Sequence, residues 1–344
     1  MNLDWKLALS ERAELANNAA GELNARISQL EALKAGAALA ILDDRKVIQV
    51  AGEDAEAFLQ GQLSSDVREL ADESRAQYSS YSSAKGRMLA SFLAWRSQGV
   101  FYLAVSADLA DFVVKRLSMF VLRSKVKVSI ADDLVLVGVG GMVAAEALGL
   151  DPALVAAVTP RGVLPTPSGR LIALPGAGFM LAAEAEGATI GEKLLQSSAL
   201  ISSEVWGWRD IDAGIPWLTL STQEQFVPQM ANMELIGGVS FKKGCYPGQE
   251  IVARSQYLGK MKRRLFKVSF QQFAPVGTKL FSPGVEGQSI GMIAAVCQVA
   301  AECYQGLVVV QFQAWEDGIY ADEACTIKLQ QLELPYSLNE DAAN

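Results

Sequence analysis

The sequence predicts an α+β protein whose C-terminal part forms a separate β-barrel. Helix-like and strand-like patterns are mixed over the first 260 residues without regular alternation, which is typical of α+β folds and not of a doubly wound parallel sheet. From Arg263 onward, β-like segments are separated by turn residues, which indicates a small barrel. The length of 344 residues suggests about two domains, because one hydrophobic core rarely serves so long a chain.

Periodicity predicts the individual elements in chain order. Leucine and isoleucine residues at near-helical spacing between Ser10 and Gly36 predict one N-terminal helix. Two later stretches with a helical pattern predict helices at 53–63 and 108–123. Alternating and β-branched stretches predict strands at 38–42, 47–51, 77–84, 88–96, 100–105, 126–130 and 134–139.

The second half of the chain is less regular before the barrel begins. Residues 151–178 are rich in proline and glycine and predict a loop with short strands. A helical pattern at 187–212 precedes an irregular glycine-rich stretch at 213–249 and a short helix at 250–256. The predicted barrel strands are 264–270, 287–299, 306–312 and 324–329. We therefore expect an N-terminal helix (1–36), an α+β region (37–260), a β-barrel (261–334) and a tail (335–344).

The chain contains no histidine. This absence excludes Ser-His-Asp and Cys-His nucleophile pairs, HExxH zinc sites and imidazole general bases. The cysteines form no CxxC pair, so we expect neither a metal site nor a disulfide framework. The chain start lacks a signal-peptide pattern, and no apolar run reaches the ~20 residues that span a bilayer. A cytoplasmic protein without a membrane partner is expected.

The densest motif lies at residues 242–250. It consists of Lys242, Lys243, Gly244, Cys245, Tyr246, Pro247, Gly248, Gln249 and Glu250. An amide-rich turn that enters a helix is a natural anion site, and with two lysines it favours the thiolate of Cys245. The alternative is an ordinary turn that carries a buried, inert cysteine, and composition alone does not decide between them.

Positive charge is concentrated around this motif. Residues 240–267 carry a charge of +7, which leaves −15 for the rest of a chain whose formal charge is −8. Such a run is often only a solvated face, but in an acidic protein it favours an anionic partner such as RNA or a polyglutamate tail. The basic residues are Lys242, Lys243, Arg254, Lys260, Lys262, Arg263, Arg264 and Lys267.

The motif resembles the Lys-Gly-Cys-Tyr-x-Gly-Gln-Glu signature of the YgfZ family, folate-binding relatives of the glycine-cleavage aminomethyltransferase that are associated with tRNA modification. The resemblance covers residues 38–340. Further segments that resemble family elements are 58–67, 84–88, 211–216, 226–229 with Asn232, and 334–338.

The resemblance implies an aminomethyltransferase-like, folate-binding region of intertwined ferredoxin-like subdomains over 37–260, followed by the β-barrel. It implies tetrahydrofolate or a derivative as the cofactor. Trp206 is then expected to stack on the pterin, and Asp212 to pair with its N–H edge. Arg45 stands where the family has an aromatic residue, so it either pairs with the folate tail or weakens the site. Other implied cofactor contacts are Gln229, Lys85 and Arg87, and the motif extends to Arg254.

Aminomethyltransferases place an acid soon after a turn that matches Lys85-Gly86, where this chain has Leu89, Ala90 and Ser91. Methylene transfer would lack its electrostatic partner, so we do not expect the glycine-cleavage reaction. The resemblance implies a folate-binding accessory protein that supports iron–sulfur enzymes, including tRNA-modifying ones, through the Cys245 thiol. The alternatives are a one-carbon transferase acting on another substrate and a direct tRNA-binding module that uses residues 242–267.

Overall fold

The computed structural model describes residues 3–141, 145, 148–176, 178–184, 199–257, 261–285 and 287–338, with only the backbone for 3–10 and 255–257. Contacts divide the chain into two interleaved units. The first unit comprises Met1–Ala55, Glu69–Ala76 and Ala94–Gly207. The second unit comprises Glu56–Arg68, Gln77–Leu93 and Trp208–Asn344. The boundaries expected at 36, 260 and 334 remain predictions.

The first unit is built on a six-stranded sheet of order β11-β1-β7-β10-β9-β8. β11 pairs in parallel with β1, and the other pairs are antiparallel. Alternate residues of these strands, such as Leu39, Val137 and Leu181, form the core of this sheet. The strands are β1 (Ala38–Ile41), β7 (Leu134–Gly140), β8 (Val163–Thr166), β9 (Gly169–Leu174), β10 (Gly178–Glu184) and β11 (Ala199–Ile201).

A five-stranded sheet of order β3-β4-β5-β2-β6 continues the α+β part. The chain passes from the second unit into the first within β4. Helix α4 (Ala107–Val121) packs on β2, β5 and β6 and buries Leu109, Val113 and Leu117. The strands are β2 (Arg45–Ala51), β3 (Gln77–Ser82), β4 (Met88–Ser97), β5 (Val100–Ser106) and β6 (Lys127–Ile130).

The other helices range from α1, with 17 residues, to short helices of four to six residues. They are α1 (Leu3–Ala19), α2 (Leu23–Lys34), α3 (Ala55–Gln60), α5 (Pro152–Ala157), α6 (Ser203–Trp206), α7 (Trp208–Asp212) and α8 (Gln249–Tyr257). Short 3₁₀ helices occur at Val67–Leu70, Leu220–Thr222, Pro228–Ala231 and Phe312–Trp315. Among the described residues, no helix is both long enough and apolar enough to cross a bilayer.

Three predictions outside the barrel differ from the structure. The first is the stretch 151–178, predicted as a loop with short strands, where residues Pro152–Ala157 form helix α5 because Asp151 caps it and Pro152 starts it. The predicted single N-terminal helix is two helices, because the chain breaks at Gly21, a residue that disfavours a helix interior. The predicted helix over 187–212 is wrong at 199–201, where β11 completes the edge of the first sheet beside β1. The tertiary pairing overrides the local helical pattern there. Residues 187–198 lie outside the described part of the chain.

The barrel belongs to the second unit and has the strand order β13-β14-β15-β12-β17-β16. A bridge between Phe281 and Tyr320 brings the two edges together, so the barrel is nearly closed. Its core includes Phe266, Ile293 and Val308. The strands are β12 (Arg263–Phe270), β13 (Lys279–Leu280), β14 (Gly291–Ala300), β15 (Cys303–Gln311), β16 (Ile319–Tyr320) and β17 (Lys328–Leu332).

Three of the four predicted barrel strands are confirmed with shifted ends. The fourth, predicted at 324–329, begins only at Lys328. The Asp322 carboxylate accepts hydrogen bonds from the N–H groups of Thr326 and Ile327, which holds this stretch in a turn. The mixed helices and strands with a C-terminal barrel confirm the predicted α+β class.

Candidate functional site

Cys245 lies in an irregular turn that ends where α8 begins. Gly244 and Cys245 are exposed, and a Cβ placed on Gly244 would meet no atom within 4 Å. The flanking Lys243 and Tyr246 are only 6% and 7% exposed. The turn therefore presents a free thiol to solvent between two buried anchors, and the interpretation of a buried cysteine is wrong.

The first anchor, Lys243, binds the end of α3 and the loop after it. Its Nζ donates hydrogen bonds to the carbonyl oxygens of Gln60 (2.7 Å), Leu63 (2.5 Å) and Ser65 (3.0 Å). The carbonyls at a helix C-terminus lack partners within the helix and carry partial negative charge, so an ammonium suits them. Nζ also lies 5.1 Å from the ring centroid of Tyr246. Burial lowers the pKa of Lys243 to about 8.

The loop that Lys243 binds is held in shape by Asp66. Its Oδ1 accepts hydrogen bonds from Gln60 Nε2 (3.0 Å) and Arg68 Nε (2.8 Å), and its Oδ2 accepts one from Arg68 Nη2 (2.5 Å). The hydrogen bonds from Arg68 lower the pKa of Asp66 to about 2, although burial opposes the shift. The charge of Asp66 also favours the ammonium form of Lys243. Burial and the charge of Arg68 oppose this effect, and the pKa of Lys243 is lowered overall.

On the other side of the thiol, Gly248 packs directly on the Lys85-Gly86 turn. Gly248 has a φ of +80°, and a Cβ there would lie 2.5 Å from the carbonyl oxygen of Ser83 and 2.6 Å from Gly86 Cα. Gly86 also has a positive φ, and a Cβ there would lie 2.8 Å from Ile251 Cβ. Only glycine at both positions permits this approach. Two sequence motifs separated by about 160 residues are thereby joined.

Three predicted cofactor contacts of this unit lie in the Lys85 turn or bind the elements beside it. Lys85 is exposed, and Arg87 donates from Nη1 to the carbonyl oxygen of Gln225 (2.6 Å). Gln229 is fully buried, and its Nε2 donates to the carbonyl oxygen of Val252 in α8 (2.6 Å). Gln229 Oε1 has no hydrogen-bond partner among the described residues. The motif residues Gln249 and Glu250 form the first turn of α8.

Four of the eight basic residues in segment 240–267 are engaged within the protein. Lys243 binds carbonyl groups, and Arg264 pairs with Glu234, with side chains only 9% and 2% exposed. Lys267 Nζ lies 2.6 Å from Asp212 Oδ1. These cations hold the fold, so the segment offers less free charge than its composition predicts.

Arg263 is the fourth engaged residue, because its Nη2 donates a hydrogen bond to the carbonyl oxygen of Ser289 (3.4 Å). Arg263 is partly buried, and both burial and the neighbouring charge of Arg87 lower its pKa. Lys260 lies outside the described residues. Lys242, Arg254 and Lys262 are exposed.

Two predicted folate contacts lie in the first unit and are buried. Trp206 has no exposed surface, and its ring packs on Gly138, where a Cβ would lie 2.4 Å from the indole. The Arg45 side chain is 4% exposed and lies 3.7 Å from Asp44. In the second unit, the side chain of Asp212 is 45% exposed beside Lys267. The folate roles of these residues remain predictions.

The sequence did not predict the hydrogen bonds that join the irregular stretch 213–249 to the barrel and to the tail. Asn232 adopts a left-handed conformation, and its Nδ2 donates to the carbonyl oxygen of Leu265 in β12 (2.9 Å). Tyr336 donates from its hydroxyl to the carbonyl oxygen of Gly214 (2.7 Å), and burial raises its pKa. Both residues fall in segments that carry the family resemblance, and only this resemblance could have pointed to them. In the described part of the chain, no three Cys, Asp or Glu side chains are placed to hold a metal ion.

Comparison with known proteins agrees with this architecture. The chain is 34% identical over 313 residues to the tRNA-modifying protein YgfZ of Klebsiella pneumoniae strain 342, covering 88% of this chain and 94% of the relative. It is 30% identical over 316 residues to the protein of that name from Escherichia coli O45:K1, with the same coverage. No family model matches the chain.

A solved structure shares the fold. The glycine cleavage system aminomethyltransferase T from Bartonella henselae superimposes with a TM-score of 0.72 at 18% identity, covering 91% of this chain and 88% of that one. The predicted aminomethyltransferase-like fold is therefore confirmed.

Proposed function

Because this chain belongs to the YgfZ family of tRNA-modifying proteins, we propose that it supports tRNA modification as an accessory protein that binds folate and acts through the Cys245 thiol. The partners we propose are iron–sulfur enzymes that modify tRNA, in the cytoplasm. The observation that carries this proposal is the exposed thiol in a turn clamped by Lys243 on one side and by Gly248 on the other.

A clamped, exposed thiol suits chemistry with a partner. An inert structural cysteine is usually buried, whereas a thiol that attacks or ligates must be reachable. The clamp keeps Cys245 in one place, which reduces the ordering cost when a partner approaches. Because the chain has no histidine, no imidazole can take the thiol proton.

A folate site fits two features of the second unit. Gln229 Oε1 is a buried acceptor without a donor among the described residues, and a pterin carries N–H donors. Asp212 keeps an exposed oxygen while its Oδ1 accepts from Lys267. Tetrahydrofolate would supply one-carbon chemistry when bound. The contacts proposed for Trp206 and Arg45 have less support, because the Trp206 ring packs on Gly138 and the Arg45 side chain lies 3.7 Å from Asp44.

The start of β4 supports an accessory role over one-carbon transfer. Leu89 and Ala90 are buried apolar residues. Ser91 Oγ donates to the carbonyl oxygen of Pro216 (3.1 Å) and accepts from the N–H of Leu218 (2.9 Å). This hydroxyl is used in packing, and no carboxylate stands in that segment to stabilise a transferring group. The transferase alternative would need an acid from elsewhere.

The thiol role is tested by complementation of a null strain, with tRNA methylthiolation as the readout. We expect Cys245→Ala to abolish rescue and Cys303→Ala, at a partly exposed cysteine of the barrel, to rescue fully. Full rescue by Cys245→Ala would exclude the thiol role.

The folate role is tested by titration of tetrahydrofolate into the purified protein. Gln229→Leu and Asp212→Asn should each weaken binding by about tenfold, the loss expected for one hydrogen bond to a ligand. Gln225→Leu, at a nearby exposed glutamine, is the matched control. Equal affinities of all four proteins would contradict the proposed site.

Direct tRNA binding is a second candidate, favoured by the solvent-exposed Lys242, Arg254 and Lys262. Gel shifts with bulk tRNA should weaken in Arg254→Glu and fall steeply with salt. Binding that is insensitive to this substitution would exclude the surface.

A further inference from the structure

The outer face of α4 and the turn after it carry exposed apolar side chains. Phe112 and Met119 lie two turns apart on one side of the helix, opposite the buried Val113 and Leu117. Phe112 is 37% and Met119 66% exposed, and the patch continues with Phe120 at 45% and Leu122 at 86%. Single exposed apolar residues are ordinary, but a contiguous group indicates an interaction surface.

The segment that carries this patch is basic. Residues 112–131 contain five basic residues and no acid, in a chain whose formal charge is −8. Lys125 Nζ pairs with Glu53 at 2.6 Å, so its charge is engaged. Within the described residues, none of the other four forms an ion pair with an acidic side chain. They are Lys115, Arg116, Arg123 and Lys127.

Leu122 is held in an unfavourable backbone conformation at the end of α4. Its φ of +48° and ψ of −106° are rare for a residue with a side chain, and glycine is common where a helix ends with positive φ. Hydrogen bonds from the residues that follow hold Leu122 in this conformation. Ser124 donates its N–H to the carbonyl oxygen of Val121 (2.8 Å), and Lys125 donates its N–H to Asp54 Oδ2 (2.7 Å). Strain of this kind persists at functional positions.

We infer that this surface, from Phe112 to Lys127, docks a protein partner that offers an apolar groove rimmed by carboxylates. Carboxylates complement the unpaired cations, and phenylalanine, methionine and arginine are enriched at protein interfaces. RNA fits less well, because Met119 and Leu122 offer neither charge nor a ring to stack on a base. The strained turn displays Leu122 as a rigid anchor with little ordering cost.

The test uses a purified iron–sulfur tRNA methylthiotransferase as the binding partner, and only this choice rests on the proposed function. Its binding to the full chain is measured by biolayer interferometry. Met119→Glu with Leu122→Glu should weaken binding at least about 30-fold, the effect of losing one interface hot spot. Leu154→Glu, at a 49% exposed leucine of the same unit, should leave binding unchanged. Arg123→Glu should slow association and reduce its salt dependence.

The outcomes separate this surface from the thiol. Cys245→Ala should bind the enzyme normally while failing to support methylthiolation. Rescue by Cys245→Ala would refute the thiol role and leave the surface standing. Absence of binding by the wild type, or equal binding by the Met119 and Leu122 double variant, would overturn the docking proposal. Loss of tRNA affinity in that variant with enzyme affinity retained would overturn it in favour of RNA.

Discussion

Lys243→Met tests whether a buried ammonium holds the cysteine turn in place. Methionine keeps an unbranched side chain of similar length but donates no hydrogen bond. The substitution removes the donor from three carbonyl oxygens that now lie 2.5–3.0 Å from Nζ. Hydrogen bonds to a charged group contribute about 1.5–3 kcal/mol each. Against this, the fall in the pKa of Lys243 from 10.5 to about 8 corresponds to a burial cost of about 3 kcal/mol. We expect the free energy of unfolding to fall by about 2–5 kcal/mol.

The pH dependence follows from the same pKa shift. The pKa of Lys243 is lower in the folded protein than in the unfolded chain, so between pH 8 and 10 the unfolded chain binds more protons. Stability from this group therefore rises with pH across that window, because the folded protein sheds a charge that burial disfavours. The difference between wild type and Lys243→Met should grow by about 1 kcal/mol per pH unit from pH 8 to 10.

Urea unfolding at pH 7, 8, 9 and 10 measures both effects. Lys242→Met is the matched control, because the neighbouring lysine is exposed and should change stability by less than about 0.5 kcal/mol. Amide hydrogen exchange should quicken at residues 60–65 and 243–246 but not in α4. A loss no larger than that of Lys242→Met would refute the clamp. A difference that shrinks above pH 8 would refute the assigned burial cost.

Three further substitutions probe separate parts of the chain by urea or thermal unfolding. Gly248→Ala should lower stability by about 2–4 kcal/mol, because its Cβ meets backbone at 2.5 Å with a positive φ, whereas Gly244→Ala enters open space and should change little. Glu234→Gln should cost about 3–5 kcal/mol, because it leaves the buried guanidinium of Arg264 unpaired. Leu122→Gly should raise stability by about 1 kcal/mol through relief of backbone strain, and a decrease would refute that strain.

Local patterns predicted the elements whose packing agrees with their own periodicity. The strand alternation around Phe266 and the helix that begins near Glu250 are examples, since the neighbours within a few residues determine both. β11 is the opposite case. Residues 199–201 carry a helical pattern, yet they form a strand because they pair with the edge of β1. A pairing between residues about 160 positions apart leaves no local signal.

In the candidate site as well, some features could be predicted from local sequence and others could not. Cys245, Gly248 and the Lys85 turn were identifiable because their residue types are unusual and suit one chemistry. The function of Lys243 as a clamp was not, because its three partners are backbone carbonyls that any residue could supply. The Gly86 to Gly248 contact was also hidden, since each glycine alone indicates only a turn.

The pairing of charges sets a quantitative limit on RNA binding by segment 240–267. Eight basic residues would predict a slope of log affinity against log salt of about −6 to −7 if all met phosphates. Four of the eight are engaged (Lys243, Arg263, Arg264 and Lys267), which leaves at most four and predicts a slope of about −3 to −4. Fluorescence anisotropy with bulk tRNA over a salt series measures this slope.

Arg254→Glu should flatten the slope by about one unit without unfolding the protein. Arg264→Glu cannot serve as this test, because it would place a second carboxylate beside the buried Glu234 and unfold the chain where β12 begins. A slope near −7 would mean that the internal contacts of the four engaged residues open when RNA binds.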